Sequence, residues 1–280
     1  MNDRDLIADA ADLIAGADGL IITAGAGMGV DSGLPDFRGN GGFWKNYPTL
    51  AKAQIGFTDI ARAETFEIDP KLAWGFYGHR LNLYRETAPH RGFSYLRTIW
   101  KQLVGGAFVY TSNVDGQFQK SGFKWNQIVE CFGSIHLLQC QNTCCQDIWK
   151  ATEFMPIVDE ENCILISQFP LCKDCGGIAR PNILMFGDTY WASWRAQSQR
   201  ARFNEWRQTV SHPVVIELGA GDRIPMVRRF GESLNVPLIR INLTDASVYR
   251  ANDVAIQMGA LEAITAITQR LITLDFITDV

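Results

Sequence analysis

The chain contains, at residues 20–39, the sequence LIITAGAGMGVDSGLPDFRG. This stretch opens with a fully apolar run, Leu20–Ala24, of the kind that forms a strand buried on both faces of a parallel sheet. Glycines that follow such a strand let backbone N–H groups approach a pyrophosphate at a helix N-terminus. The usual dinucleotide fingerprint has a third glycine where this chain has Val30. On these residues alone, a tight structural turn and a phosphate-binding loop both remain open.

Outward from this stretch, short apolar runs alternate with helical patterns. Further strands are predicted at Ala107–Thr111, Val214–Leu218 and Pro237–Asn242, and helices at residues 5–16, Pro70–Glu86 and Phe93–Leu103. This alternation predicts an α/β fold with a Rossmann-like, doubly wound parallel sheet. Ligands of such sheets bind beyond the carboxyl ends of the strands. Polar or glycine-rich motifs fall at those ends, at Gly25, Asn113, Gly219 and Asn242.

All seven cysteines lie between Cys131 and Cys175, in a block that interrupts the alternation of strands and helices. Such clustering indicates a metal site rather than the disulfides of a secreted fold. The motif Cys172-x-x-Cys175-Gly-Gly is one half of a zinc knuckle. In the other half, either Cys144 or Cys145 follows Cys140, and the shorter spacing favours Cys144. We therefore predict a closed, structural Zn²⁺ site and two buried thiols, with Cys140, Cys144, Cys172 and Cys175 as the ligands and Cys131 and Cys163 as the thiols.

Composition and charge narrow the function classes. A formal net charge of −4 and an isoelectric point near 5.6 argue against general affinity for nucleic-acid phosphates. No apolar run approaches the roughly 18 residues that span a bilayer, so no membrane partner is predicted. The N-terminus lacks a charged region followed by an apolar one, and the default location is therefore the cytoplasm.

Two segments resemble signatures of the sirtuin family. Residues 25–39 are similar to Gly-Ala-Gly-x-Ser-x-x-Ser-Gly-Ile-Pro-Asp-Phe-Arg-Gly, and they depart from it at Gly29, where the family has Ser, and at Leu34. Residues 111–115, with the sequence TSNVD, resemble the family's Thr-Gln-Asn-Val/Ile-Asp. Sirtuins are NAD-dependent protein deacylases, and some are ADP-ribosyltransferases. The resemblance therefore implies a Rossmann-like domain that binds NAD and carries a small zinc module.

The resemblance also implies roles for individual residues. Asp115 binds the nicotinamide carboxamide, and Asn113 holds the ribose and a water. Ser112 replaces a Gln that usually touches the ribose, so this contact stays open. The full set of implied NAD contacts is Gly25, Ala26, Gly27, Asp36, Phe37, Arg38, Ser112, Asn113, Asp115, Gly219, Ala220, Asn242, Gly259 and Ala260.

Residues 180–188, with the sequence RPNILMFGD, resemble the family segment that clamps an acyl-lysine peptide by strand addition. Asp222 occupies a position where the family has an apolar residue, which makes this edge of the cleft atypical. Taken over the whole chain, the resemblance implies a single catalytic domain at residues 1–280. Its NAD-binding part covers about 1–135 and 180–280, and its zinc module covers about 136–179.

One catalytic position departs from the family. Sirtuins use the imidazole of a His-Gly pair as general base, and here Gly133 matches the Gly, so that Phe132 stands at the histidine position. A phenyl ring cannot accept a proton. Three explanations are open: an introduced substitution, a native Phe132 with another reaction favoured, or a takeover by His136. Loss of a general base typically slows a reaction by on the order of 10²–10⁴-fold, whereas departure of nicotinamide needs no base.

The leading hypothesis is a sirtuin-family, NAD-dependent protein-lysine deacylase scaffold that cleaves the nicotinamide–ribosyl bond of NAD and is impaired in deacylation by Phe132. An NAD-dependent ADP-ribosyltransferase or NAD hydrolase is the first alternative. A non-catalytic sensor of NAD or ADP-ribose is an alternative from a different class. The predicted co-substrate is NAD, the predicted metal is structural Zn²⁺, and the predicted partner is an acyl-lysine protein or peptide.

Overall fold

A computed structural model describes residues 3–36 and 39–278 of the chain. Its strands are β1 Gly19–Ala24, β2 Ala107–Thr111, β3 Ile128–Glu130, β4 Gly133–Cys140, β5 Ile148–Lys150, β6 Val158–Asp159, β7 Ile164–Leu165, β8 Ala179–Ile183, β9 Pro213–Leu218, β10 Leu238–Ile241 and β11 Val254–Ile256. Its α-helices are α1 Asp3–Ala15, α2 Gly39–Asn46, α3 Pro48–Lys52, α4 Phe57–Ile60, α5 Thr65–Ile68, α6 Pro70–Glu86, α7 Arg91–Gln102, α8 Gln117–Lys120, α9 Trp194–Arg207, α10 Met226–Ser233 and α11 Ala260–Thr273. Short 3-10 helices cover Ala26–Ser32 and Trp125–Gln127.

The main sheet has six strands in the order β11-β10-β9-β1-β2-β3, and its neighbouring strands pair in parallel. The chain builds this sheet outward from β1, first through β2 and β3 on one side and later through β9, β10 and β11 on the other. The strand order therefore reverses between β1 and β9, which is where ligands bind in doubly wound sheets. This topology confirms the predicted Rossmann-like α/β class.

Helices cover both faces of the main sheet, which explains why β1 is an unbroken apolar run. On one face, Leu20 and Ile22 pack with side chains of α1, α7 and α11. On the other face, Ile21 packs with Phe203 of α9 and Phe230 of α10. Burying such a side chain completely stabilises the fold by about 1.5–3 kcal/mol.

The predicted helices are present, and local hydrogen bonds set their ends. α6 spans Pro70–Glu86 as predicted, and the Asp69 carboxylate accepts a hydrogen bond from the N–H of Leu72 at 3.0 Å. α7 starts earlier than predicted, at Arg91, because the ring of His90 accepts the N–H of Gly92. Side-chain caps of this kind therefore decide boundaries that apolar periodicity leaves open.

The strand predicted at Pro237–Asn242 is shorter in the structure. β10 ends at Ile241 because Asn242 turns the chain away from the sheet. Its Oδ1 accepts hydrogen bonds from the N–H groups of Thr244 and Asp245, at 3.0 and 3.2 Å. An Asx turn thus replaces the last residue of the predicted strand.

A second layer surrounds the cysteine segment. β5, β4 and β8 form a three-stranded antiparallel sheet, and β6 pairs with β7. The core of this layer also contains residues from 34 to 84, including Phe43, Trp74 and Tyr77. The helices between residues 39 and 86 therefore share one core with the cysteine segment. The predicted module boundaries at 136 and 179 stay a prediction.

Within residues 3–36 and 39–278, no helix is both long enough and apolar enough to cross a membrane. α6 has 17 residues and carries several charged side chains, among them Arg80 and Arg85. Its apolar residues pack into the second core instead.

Gly75 of α6 offers a test of how closely the helix packs on the cysteine segment. A β-carbon at Gly75 would overlap the backbone carbonyl of Cys163, whereas one at Gly78 would lie 2.9 Å from the side chain of Pro156. Backbone yields less readily than a side chain, so Gly75→Ala should lower the free energy of unfolding by about 3 kcal/mol or more. Gly78→Ala, one turn along the same helix, should cost less. Urea unfolding of both variants checks this, and equal losses would contradict the packing.

Candidate active site

A cleft with a volume of about 870 Å³ opens beyond the carboxyl ends of β1, β2 and β9. It lies at the position where the strand order reverses. Most of the predicted NAD contacts and the histidine position meet here. The predicted residues that line the cleft are Gly25, Ala26, Gly27, Asp36, Ser112, Asn113, Asp115, Phe132, Gly219, Ala220 and Asn242.

Two further predicted contacts that the structure describes, Gly259 and Ala260, do not join this set. Gly259 and Ala260 begin α11 and are not among the described residues of the cleft wall. The start of α11 is instead tied to the glycine-rich segment, since the N–H of Leu261 donates to Oδ2 of Asp31 at 2.9 Å. Phe37 and Arg38 lie outside the described residues.

The loops after β1 and β9 contact each other directly. The N–H of Gly27 donates to the carbonyl of Gly219 at 3.0 Å. Gly219 has a φ of 58°, and a β-carbon there would overlap the backbone of Gly27. A β-carbon at Gly25 would lie 2.8 Å from Cα of Ala220. These glycines are therefore required for the turn, and the same loops also face the cleft.

The residues after β2 are held against the first loop. Oγ1 of Thr111 donates to the carbonyl of Ala24 at 2.9 Å, and it accepts the N–H of Asn113 at 3.0 Å. Nδ2 of Asn113 then donates to the carbonyl of Gly25 at 2.9 Å. The predicted second signature is thus fixed relative to the glycine-rich loop by its own side chains.

Asp115 is a buried carboxylate on the cleft wall, with 8 % of its surface exposed. Burial raises the pKa of Asp115 to about 6, and the charge of Glu130 acts in the same direction. The N–H of Gln117, which donates to Oδ1 at 2.8 Å, and the charge of Arg80 oppose the rise in pKa. Asp115 can therefore change its protonation state close to neutral pH.

Phe132 lines the cleft as a half-buried side chain. Its carbonyl accepts the N–H of Leu184 at 2.9 Å, which ties it to the segment after β8. The phenyl ring contributes apolar surface and no titratable group. At the position that the sequence predicts to match the family's histidine, the cleft wall therefore presents no base.

The four histidines of the chain lie away from the cleft wall. Nε2 of His136 donates to the backbone carbonyl of Asp115 at 2.8 Å, and burial lowers the pKa of His136. Nε2 of His90 binds the carbonyl of Met28 at 2.9 Å. The ring of His136 thus supports the backbone of Asp115 and is not part of the cleft wall, which argues against a takeover of the base role by His136.

The cysteine cluster has the geometry of a tetrahedral zinc site. With Zn–S bonds of about 2.3 Å, neighbouring sulfurs of a tetrahedron lie about 3.8 Å apart. The Sγ of Cys140 lies 3.7 Å from that of Cys175 and 3.5 Å from that of Cys144, and Cys144 lies 3.6 Å from Cys172. The four predicted cysteines form one group of potential ligands. Zn²⁺ therefore fits this site.

Cys145 belongs to a second, overlapping group with Cys144, Cys172 and Asp174. Its Sγ lies 4.0 Å from that of Cys172. The group with four sulfurs suits Zn²⁺ better, because structural zinc sites take thiolate and imidazole ligands. Cys131 and Cys163 lie elsewhere, and burial raises the pKa of each thiol to about 12.

A sequence model described as the Sir2 family matches residues 25–206. The chain belongs to the Sir2 family.

The NAD-dependent protein deacylase 2 of Pyrobaculum aerophilum is 28 % identical over 266 residues, which cover 93 % of this chain and 94 % of that relative. The NAD-dependent protein deacetylase of Saccharolobus solfataricus is 32 % identical over 168 residues, 60 % of each chain. A solved Sir2 homologue–NAD complex has a TM-score of 0.69 at 19 % identity, covering 95 % of this chain and 93 % of that one, and shares the fold. The predicted sirtuin resemblance is confirmed.

This Sir2-family chain carries a buried cation in the cleft that sequence reasoning missed. Arg80 of α6 lines the cleft, is 7 % exposed, and donates from Nε and Nη2 to the hydroxyl of Tyr84, at 3.0 and 2.8 Å. Its guanidinium also lies over the ring of Tyr77, 5.7 Å from the ring centroid. The spacing of Tyr77, Arg80 and Tyr84 along one helix face was the available signal.

A second missed group supports the loop after β9 in this Sir2-family chain. Nε of Arg228 donates to the carbonyl of Ala220 at 3.0 Å, and its Nη1 pairs with Asp245 at 2.7 Å. Nδ2 of Asn242 donates to the same carbonyl at 2.8 Å. Asn242 therefore lines the cleft as predicted, but its amide bonds to the backbone of Ala220, Thr244 and Asp245 and to the hydroxyl of Thr244. Sequence spacing carried no signal for Arg228, since its contacts are distant along the chain.

The cysteine assignment is tested by two neighbouring substitutions. Cys144→Ser should lose the bound zinc and lower the free energy of unfolding by on the order of 4 kcal/mol, because it removes one of four thiolates. Cys145→Ser should retain one zinc ion per chain. Metal content measured by atomic absorption, together with urea unfolding, checks both variants. Loss of zinc from Cys145→Ser alone would reverse the assignment.

The raised pKa of Asp115 predicts a pH-dependent gain in stability for Asp115→Asn. A pKa raised from 3.8 to about 6 means that the ionised carboxylate is less stable in the folded state than in the unfolded state. Ionisation of Asp115 therefore lowers the free energy of unfolding by about 3 kcal/mol above pH 6, and this loss vanishes below about pH 3.8. Asp115→Asn should therefore be more stable than the parent at pH 8, by up to this amount, and the gain should shrink as pH falls.

Urea unfolding at several pH values checks the gain. Asp222→Asn is the matched control, because Asp222 is an exposed carboxylate on the same cleft. The same stability difference at every pH would show that Asp115 ionises with an ordinary pKa.

Proposed function

We propose that this chain cleaves the nicotinamide–ribosyl bond of NAD as a Sir2-family, NAD-dependent protein-lysine deacylase whose deacylation step is impaired by Phe132. The observation that carries the proposal is the meeting of both glycine loops, Asn113 and Asp115 in one cleft at the switch point of the sheet. Dinucleotides bind at this position in doubly wound folds. The names of the relatives, NAD-dependent protein deacylase and deacetylase, support the same reaction.

Different residues of the cleft would bind different parts of NAD. Backbone N–H groups of Gly25, Ala26 and Gly27 would hold the phosphates. Asn113 and Asp115 would hold the ribose and the carboxamide at the nicotinamide end. Departure of nicotinamide depends on this positioning and on stabilisation of the positive charge that develops on the sugar. It requires no base, so Phe132 does not prevent it.

An acyl-lysine peptide would bind where the segment after β8 borders the cleft. Met185 and Phe186 lie on the cleft wall, and Phe57 faces the ring of Phe186 at 6.1 Å between centroids. An apolar channel of this kind suits the stem of an acylated lysine, and strand addition would hold the peptide backbone. Asp222, on the loop after β9, adds a carboxylate to the other side.

A second candidate function follows from Phe132 itself. Without a base for the acyl-transfer step, attack on the ribose by water or by a protein side chain competes, which gives NAD hydrolysis or ADP-ribosyl transfer. A sensor that binds NAD without cleaving it is the candidate from a different class. The proposed Zn²⁺ role is structural in each case, and a cytoplasmic location and the absence of a nucleic-acid partner stay predictions.

The products of NAD separate these functions. The protein, Phe132→His and the apolar control Phe132→Leu are incubated with NAD, with and without an acetyl-lysine peptide, and the products are identified by mass spectrometry. We expect nicotinamide release from all three proteins. Formation of O-acetyl-ADP-ribose should rise by about 10²–10⁴-fold only in Phe132→His, because only this change restores a general base.

Other outcomes reassign the function. ADP-ribose as the main product of the unmodified protein and of Phe132→His, even with the acetyl-lysine peptide present, would favour the hydrolase. A mass increment on protein would favour the transferase. NAD binding without nicotinamide release from any of the three proteins would contradict both enzymatic functions and support the sensor.

A further inference from the structure

Asp115 differs from the other carboxylates on the described part of the cleft wall. Asp222 is exposed to solvent, Asp245 is paired with Arg228 at 2.7 Å, and Asp36 is half-buried at the lip. Asp115 is nine-tenths buried and still borders the cleft. It is therefore the carboxylate that a ligand in this cleft would enclose most completely.

The glycine-rich loop leaves room for the second oxygen of this carboxylate. Oδ1 of Asp115 accepts the N–H of Gln117, while Oδ2 would lie 3.8 Å from a β-carbon placed on Gly29. The Sir2-family signature has Ser at the position of Gly29, and a serine hydroxyl there would come within hydrogen-bond reach of Oδ2. A hydroxyl donor favours the ionised carboxylate and lowers its basicity. This chain omits that donor and also lacks the histidine at Phe132.

The surrounding charges leave the carboxylate basic. The titratable and charged groups that face Asp115 are Arg80 and Tyr84 of α6, Glu130 at the end of β3 and His136 of β4. Burial lowers the pKa of His136, and its Nε2–H binds the backbone carbonyl of Asp115 rather than the carboxylate. Glu130 is itself buried; its Oε2 pairs with Arg195 at 2.5 Å, whereas its Oε1 has no hydrogen-bond partner within the described residues. Burial and the charge of Glu130 together outweigh the hydrogen bond from the N–H of Gln117 and the charge of Arg80, which both lower the pKa, so the pKa of Asp115 is raised.

We propose that the Asp115 carboxylate is the general base for attack of water on NAD in this cleft, in the absence of a catalytic histidine. The inference rests on the proposed cleavage of NAD. The C1′–N bond of the nicotinamide riboside breaks, and its electron pair goes to the nicotinamide nitrogen. A water oxygen bonds to C1′ from the vacated nicotinamide pocket, and one water proton passes to Asp115. The products are nicotinamide, ADP-ribose and a proton, which Asp115 releases to solvent.

This role differs from simple binding of the carboxamide, and Asp115→Asn separates the two. An asparagine keeps a polar group for the carboxamide but cannot take a proton. We expect kcat for ADP-ribose formation to fall by about 10²–10⁴-fold while Kd for NAD, measured by calorimetry, changes less than about threefold. If Asp115 only binds the carboxamide, Kd and KM will rise and kcat will keep its pH dependence.

The pH profile supplies the sharper readout. In the unmodified sequence, kcat should rise with pH through about 6 and then level off, because the carboxylate is the active form. Gly29→Ser should move this rise to lower pH by about one unit relative to Gly29→Ala, which adds the same β-carbon without the hydroxyl. Asp12→Asn, which removes an exposed carboxylate of α1 that is not part of the cleft wall, should keep the rise. Persistence of the rise in Asp115→Asn, or its loss in Asp12→Asn, would overturn the inference.

A measurement without turnover completes the test. The side-chain ¹³C resonance of labelled Asp115 can be assigned by its absence from Asp115→Asn. This resonance should titrate near pH 6 in the unmodified protein, and its titration midpoint should be lower in Gly29→Ser than in Gly29→Ala. An ordinary aspartate titration in the unmodified sequence would overturn the inference. If the unmodified protein releases no nicotinamide, the proposed function fails together with this inference. If nicotinamide is released but the kcat of Asp115→Asn is unchanged, only the inference about Asp115 fails.

Discussion

Two loops touch at the centre of the molecule, and the cleft is arranged around their contact. Gly27 and Gly219 meet through one backbone hydrogen bond of 3.0 Å, at a distance that no side chain at Gly219 would permit. The contact is possible because β1 and β9 are neighbours in the sheet, although they are far apart in the chain. Since the sheet order reverses between these strands, the touching loops form the floor of the cleft. Glycine is thus required at position 219 because the two loops touch, and the same absence of a side chain also allows a ligand to approach the backbone of the loops.

Buried charge supports one side of this floor. Glu217 of β9 is fully buried, and Arg240 of β10 donates to it from Nε at 2.6 Å. The side chain of Arg228 approaches the same carboxylate at 4.0 Å, and it donates a hydrogen bond to the carbonyl of Ala220 in the loop after β9. Removing one partner of such a group leaves an uncompensated buried charge, which typically costs about 3–5 kcal/mol. The group therefore ties the position of the loop after β9 to the stability of the sheet.

Local patterns in the sequence predicted the elements well and their partners poorly. The apolar runs of β1, β2 and β9 and the helix Pro70–Glu86 were recognisable because each depends on neighbours in the chain. Arg80 was missed because its place on the cleft wall depends on how α6 packs into the second core.

The metal site was likewise predictable from the sequence only in part. Spacing alone predicted the half-site at Cys172 and Cys175, yet it could not distinguish Cys144 from Cys145. That distinction needs the folded positions of the sulfurs, where Cys140, Cys144, Cys172 and Cys175 come together. Gly259 and Ala260 differ from this case, because the structure shows that they begin α11 while their contact with NAD stays a prediction.

The position of Phe132 shows that the backbone of the cleft wall can be fixed independently of the side chain that it presents. The backbone at this point is held independently of the side chain: the carbonyl of Phe132 accepts the N–H of Leu184, and Gly133 follows with a φ of 82°. A β-carbon at Gly133 would overlap the carbonyl of Asn182, so the close approach of β4 and β8 fixes the chain here. Any side chain at position 132 would therefore be presented to the same cleft. The chemistry of the side chain at position 132 is therefore separable from folding, because the backbone contacts that place it in the cleft do not involve that side chain.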